Sequence, residues 1–133
     1  MPSSIQVQQS ITIGQATIIE SPSPTSQFAV VFKDDGWLGY FYAQDLTRKD
    51  NHTCDGLHIY NANSFPDADK PATLQIAWSE DGTKAVLVIN RYPHAVFDFS
   101  ARRGYCRTNF PAPNPNWTSY GHEWDDSAID LFR

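Results

Sequence analysis

Two Asp-Gly pairs, each held between apolar runs, constrain this chain more than any other feature. Asp35-Gly36 lies between "QFAVVFK" and "WLGYFYA", and Asp81-Gly82 lies between "TLQIAWSE" and "TKAVLVIN". A tight hairpin loop demands positive φ, which glycine adopts without a Cβ clash, so each pair predicts two antiparallel strands and a turn. In the second hairpin Ala85, Leu87 and Ile89 share one face. The same period of two runs through the N-terminus, where Ile5, Val7, Ile11 and Ile13 alternate with Gln6, Gln8, Ser10 and Thr12. That alternation describes a half-buried strand ending at Gly14.

Between these anchors the punctuation is regular. "ATIIE" reads as a strand up to Glu20, and "SPSPTS" as a loop, because proline cannot donate to a sheet ladder. "DLTRKDNHTCDG" is polar and reads as a loop, "LHIY" as a short strand and "NANSFPDADKPA" as a second loop. Tyr92-Pro93 marks a break before the strand "AVFDFS", in which Ala95, Phe97 and Phe99 face the core while Val96 and Asp98 face away. "NFPAPNPNWTSYGHE" should run extended over the surface, and "WDDSAIDLFR" predicts a short helix capped by Asp125 or Asp126. Ile129, Phe132 and Trp124 would anchor that helix to the sheet. The expectation is a single domain over residues 1–133, mainly β (α+β). It is a curved antiparallel meander of about seven or eight strands, forming a sandwich or half-barrel with a short C-terminal helix.

Composition narrows the function classes. With 41% hydrophobic and 14% aromatic residues, the chain can fill one core. Fifteen acidic against ten basic residues give a net charge of −5, which argues against a general nucleic-acid binder. No apolar run approaches the roughly 20 residues needed to span a bilayer. "MPSSIQVQQSITIG" has neither a basic n-region nor an apolar h-region, so the expected compartment is the cytoplasm. The two cysteines, Cys54 and Cys106, then read as free thiols.

Several clusters could carry chemistry. Arg102, Arg103 and Arg107, interleaved with Tyr105, could grip a phosphate or carboxylate; they could equally pair with Asp125, Asp126 and Asp130 in the acidic C-terminal segment. Cys106 with His94 or His122 has the elements of a nucleophile pair, without the local signature of a cysteine hydrolase. His52, Cys54 and His58, with Asp55 as a fourth ligand, carry metal-binding residue types at no standard zinc spacing, so no metal or other cofactor is expected. The acidic pairs Asp34-Asp35, Asp67/Asp69 and Glu123/Asp125/Asp126 lack EF-hand order. There is no P-loop, G-x-G-x-x-G, G-x-S-x-G or H-E-x-x-H.

The stretches "FKDDGWLGYFYAQD", "LHIYNA", "WSEDGTKAVLVINRYPHAVFDF" and "RRGYCRTNFP", spanning about residues 28 to 126, resemble a family of small bacterial proteins known as a domain of unknown function. The resemblance implies a compact bacterial protein and carries no catalytic residues. By analogy of class, such acidic domains are similar to immunity proteins that neutralise a toxin. The resulting expectation is a non-enzymatic protein-binding module, an immunity-type inhibitor among them, presenting Asp34, Asp35, Trp37 and the acidic C-terminal segment to another protein. The rival is an anion or phosphate binder, or an enzyme, built on the Arg102/Arg103/Arg107 loop with His94 and Cys106.

Overall fold

The computed structural model describes residues 3–66 and 70–132, and Asp67 and Asp69 lie outside them. Nine strands appear among the described residues: β1 (Ser3–Thr12), β2 (Thr17–Pro22), β3 (Phe28–Asp34), β4 (Leu38–Asp45), β5 (Thr53–Asn61), β6 (Pro71–Ser79), β7 (Lys84–Ile89), β8 (Tyr92–Asp98) and β9 (Arg103–Cys106). They form two antiparallel sheets, ordered β1-β6-β7-β8-β9 and β2-β3-β4-β5. Both Asp-Gly hairpins are present, with β3 paired to β4 and β6 to β7. Gly36 and Gly82 take φ of 100° and 71°, the left-handed backbone that explains glycine at these turns.

The arrangement departs from a simple meander at one place. β1 belongs to the five-stranded sheet, yet the chain crosses to the other sheet for β2–β5 before β6 returns to pair with β1. Gly14, at φ 92°, makes the crossing. The sheets then close face to face over one core. The inner row Ile19, Phe32, Phe41 and Leu57 follows the register of the four-stranded sheet. It packs with Ile76, Leu87 and Ala95 of the other sheet in the same buried cluster. Phe41 stacks on Phe97 at 5.5 Å, and the buried Trp78 indole donates to Ser21 Oγ at 3.0 Å across the sheets. Trp78, Phe32, Phe41 and Phe97 are fully buried, each removing enough apolar surface for about 1.5–3 kcal/mol. Two turns from opposite sheets also interlock, since Ser23 and Ser26 hydroxyls both donate to the Gly82 carbonyl at 2.7 Å.

Three local expectations are corrected. The break falls not at Tyr92-Pro93 but at Asn90-Arg91, both left-handed (φ 51° and 67°) as a tight hairpin turn requires. Pro93 sits inside β8 opposite Val88, where the register shifts and no regular ladder bond is demanded of it. Ser21 and Pro22 continue β2, which as an edge strand tolerates a proline. The supposed loop "TCDG" is the start of β5, its polarity explained by a buried partner described below. The closing helix exists as a seven-residue 3₁₀ helix, Asp126–Phe132, capped by Asp125, whose Oδ1 accepts the Ser127 N–H at 2.9 Å. Ala128 is its buried anchor, with Trp124, Leu131 and Phe132 packed beside it against Val86, Val96 and Tyr105. The five-stranded sheet is therefore covered on its outer face by the chain's own C-terminus. No helix among the described residues is long and apolar enough to cross a membrane.

Candidate functional site

Strand alternation decides where the three arginines go. Arg103, Tyr105 and Arg107 follow the outward parity of β9, whereas Arg102 precedes the strand in a left-handed turn (φ 52°). The Arg103 guanidinium lies 4.8 Å from the ring centres of both Tyr105 and Tyr120, and 4.0 Å from Glu123. Arg107 donates through Nε to the Pro93 carbonyl at 3.0 Å, stacks over Trp124 at 3.7 Å and Tyr92 at 4.5 Å, and approaches Asp126 at 3.9 Å. These two arginines clamp the segment 120–126 onto the outer sheet face. Arg102 points elsewhere, into a cleft at the end of the sandwich with Phe28, Phe99 and Trp117. The three do not converge on one point.

His94 lies between Phe65 and Tyr92, and burial, with the Arg107 charge nearby, pushes its pKa down to about 4. It is a neutral packing residue at physiological pH. The fully buried Cys106 thiol faces Thr108 Oγ1 at 3.7 Å and the Phe110 carbonyl at 3.6 Å, so a neighbouring histidine does not activate it. Tyr105 packs under the C-terminal helix, and burial raises its phenol pKa.

Asp34 and Asp35 are adjacent in sequence and differ in role. Asp34 is 2% exposed and accepts three hydrogen bonds: Gly14 N–H at 2.7 Å, Gly36 N–H at 2.8 Å and the Tyr60 hydroxyl at 2.6 Å. It ties the crossing turn to the β3–β4 turn. Asp35 is at the surface, where the backbone N–H groups of Leu38 and Trp37 hold its carboxyl below the usual range. Trp37, at the tip of that hairpin, is 75% exposed.

Around β5 the ligand-type residues are dispersed, and His52 is exposed in the loop before the strand. Cys54 is buried, its thiol donates to the His52 carbonyl at 3.6 Å, and burial raises its pKa. His58 Nε2 meets Asn61 Oδ1 at 2.9 Å, with its ring edge-on to Tyr40 and Phe110. Among the described residues no three His, Cys, Asp or Glu side chains are grouped to hold a metal ion. Both cysteines are free.

The pair missed by spacing arguments is Asp55 and His122, 67 residues apart. His122 is 1% exposed; its Nε2 contacts Asp55 Oδ2 at 2.7 Å and its Nδ1 contacts the Pro111 carbonyl at 2.7 Å. Both ring nitrogens face oxygen atoms, which fixes the orientation of the imidazole in the interior. Asp55 Oδ1 also accepts the N–H groups of Gly56 and Asn114. With Phe110 accepting from His58 N–H and Thr108 donating to the His58 carbonyl, these bonds strap the segment 108–122 along the free edge of β5. No local motif announces a buried histidine whose partner lies half a chain away.

One sheet face remains without cover from the other described residues. In the four-stranded sheet Ile18, Lys33, Tyr40 and His58 are in register, facing opposite to Ile19, Phe32, Phe41 and Leu57. Glu20, Val31, Tyr42 and Gly56 form the next row. Tyr40 stacks on Tyr42 at 5.7 Å, and Phe110 extends the row beyond His58. Ile18 and Phe110 are 63% and 56% exposed.

The chain belongs to the bacterial family described as "Uncharacterized protein conserved in bacteria (DUF2251)", whose model matches residues 11–133. This agrees with the resemblance read from the hairpin motifs. It is similar to an "Uncharacterized protein" of Haemophilus influenzae, 46% identical over 87 residues covering 65% of this chain and 54% of the relative. The chain thus spans about half the length of that curated relative. No solved structure matches it.

Proposed function

We propose that this protein is a non-enzymatic protein-binding module whose docking surface is the outer face of the four-stranded sheet. The observation that carries the reading is the contrast between the two outer faces. One is covered by the C-terminal helix and its arginine clamps, while the other leaves Ile18 and Phe110 exposed and Tyr40 and Tyr42 half-buried among the described residues. Aromatic and aliphatic side chains on an open sheet, with Trp37 and Leu38 at its tip, have the composition of a recognition surface. The scarcity of cations on this face, where Lys33 is offset by Glu20, favours a protein over a nucleic acid. A net charge of −5 steers the choice toward a basic partner, the condition under which an immunity-type inhibitor works.

The test compares tagged wild type with a variant carrying Ile18→Ser and Phe110→Ser, each captured from extract of the native cell and read by mass spectrometry. The expected result is a stoichiometric partner retained by wild type and lost by the variant, with the thermal unfolding midpoint unchanged. Identical recovery from both proteins would sink the reading. Salt titration of the retained complex reports whether charge steers it.

A further inference from the structure

The end of the sandwich opposite the Asp35-Gly36 turn holds a feature that protein docking does not explain. A cleft of about 420 Å³ opens there between the sheets, lined by Phe28, Phe99 and Trp117 and by Arg48 and Arg102. One side of it is aromatic. Phe28 stacks on Phe99 at 4.4 Å with 10° between the planes, and Trp117 meets Phe99 edge-on at 6.2 Å.

The cations are available. Arg48 donates to the Thr53 carbonyl at 3.0 Å and also bonds the Cys54 side chain, which leaves part of its five-donor fork for a ligand. Arg102 makes no ion pair among the described residues, unlike Arg103 and Arg107 on the same loop. It also occupies a left-handed backbone position, φ 52°, where glycine would be unstrained. The one carboxylate lining the cleft, Asp45, already accepts the Thr47 N–H and hydroxyl at 3.0 and 2.6 Å. Two guanidiniums against one engaged carboxylate make this a locally positive spot on an acidic chain. The volume falls within the roughly 300–1,000 Å³ typical of small-molecule sites.

We propose that this cleft binds a small oxyanion carried on a planar ring, an aryl carboxylate or aryl phosphate. Arg48 and Arg102 take the oxyanion, for which the guanidinium fork is shaped. The ring lies against the half-buried Phe28 and Trp117, which the buried Phe99 backs, with offset or edge contacts worth about 0.5–1.5 kcal/mol beyond area burial. The site is distinct from the aromatic sheet face, and neither proposal depends on the other.

Phenyl phosphate and benzoate are the probes, with inorganic phosphate as the ringless control, titrated into isotope-labelled protein and followed by amide and indole NMR shifts. The expected result is saturable binding of at least one ring-bearing probe with a dissociation constant of about 1 mM or tighter. Shifts should concentrate at Trp117, Arg102 and Arg48, and inorganic phosphate should bind at least about tenfold more weakly, the difference made by one or two ring contacts. Arg102→Gly is the informative variant, because it removes the guanidinium and relieves the left-handed backbone, so folding is not at risk. It should weaken binding about tenfold or more, the loss of one charge-assisted contact. Failure of both ring-bearing probes to saturate overturns the proposal. So does equal binding of inorganic phosphate, or binding that Arg102→Gly leaves unchanged.

Discussion

The Asp34–Tyr60 contact offers the sharpest test of how the two turns at one end of the sandwich are held. The Tyr60 hydroxyl donates to Asp34 Oδ2 at 2.6 Å, and the ring is 4% exposed. Tyr60→Phe removes this donor and leaves the carboxylate its two backbone N–H bonds from Gly14 and Gly36. A hydrogen bond to a charged group contributes about 1.5–3 kcal/mol, and that is the expected loss. Asp34→Ala removes three such bonds at once, but Gly14 and Gly36 lie in turns that water can reach, so about 3–5 kcal/mol is expected rather than the full sum. In the double variant the hydroxyl has already lost its acceptor, and Tyr60→Phe should then cost little. The coupling energy from the cycle should be about 1.5–2.5 kcal/mol. Urea unfolding followed by tryptophan fluorescence measures all four proteins, provided the slopes agree. Additive effects, with coupling under about 0.5 kcal/mol, would refute the buried three-way junction. The same bond carries a pH signature. Burial and Asp34 push the Tyr60 phenol far above its ordinary value, so the unfolded chain loses its proton first, and stability should fall as pH rises past about 10.

Three further outcomes are expected. Gly39→Ala places a Cβ 2.6 Å from the Tyr60 ring and should cost about 1–3 kcal/mol by overpacking, measured by the same unfolding assay; a loss within about 0.5 kcal/mol would mean the ring does not cover Gly39. His94, held at a pKa of about 4 against 6.5, binds its proton more weakly folded than unfolded, so stability should decline as pH falls from 6.5 toward 4, by at most about 3 kcal/mol. His94→Gln should remove that part of the slope, and identical slopes would count against a buried neutral ring. Asp55→Ala leaves His122 Nε2 and two backbone N–H groups without their acceptor and should destabilise by about 3–5 kcal/mol, with faster proteolysis in residues 108–122; unchanged protease resistance would show that the pair does not hold the strap.

Where one residue's environment is set by its immediate neighbours, the sequence was legible. Asp35-Gly36 and Asp81-Gly82 announced their hairpins because the turn itself demands glycine's positive φ. Phe97 in β8 and Phe99 just past its end declared the inner face by alternation alone, and both are buried. Legibility ended where a partner lies far along the chain. β1 and β6 pair across a separation filled by a whole second sheet, and nothing in the period of either strand names the other. "TCDG" reads as loop because Asp55 is polar, and it is strand because His122 and Asn114 satisfy that carboxylate. Asn90-Arg91 hid its turn for a related reason: neither residue is glycine, and the Asn90 side chain supports the turn by accepting the Thr73 N–H.

The arginine cluster joins these two limits and connects them to function. Spacing alone left a ligand grip and acidic pairing as equals, since both require only that Arg102, Arg103 and Arg107 be close in sequence. The start of β9 between Arg102 and Arg103 separates them physically. Inside the strand, parity sends Arg103 and Arg107 outward, where Tyr120, Trp124, Glu123 and Asp126 occupy them. Exposed ion pairs of that length contribute about 0–1 kcal/mol, so the clamp relies more on the stacked rings and the buried Ala128 than on charge. That clamp covers one sheet and, by the same act, leaves the aromatic face of the other as the surface with unmet apolar area. Before the strand, Arg102 escapes the clamp and reaches the one cleft wall where Phe28, Phe99 and Trp117 meet. A single strand boundary thus divides the most conspicuous motif in the chain between holding the fold together and, in the site proposed above, presenting a charge to a ligand.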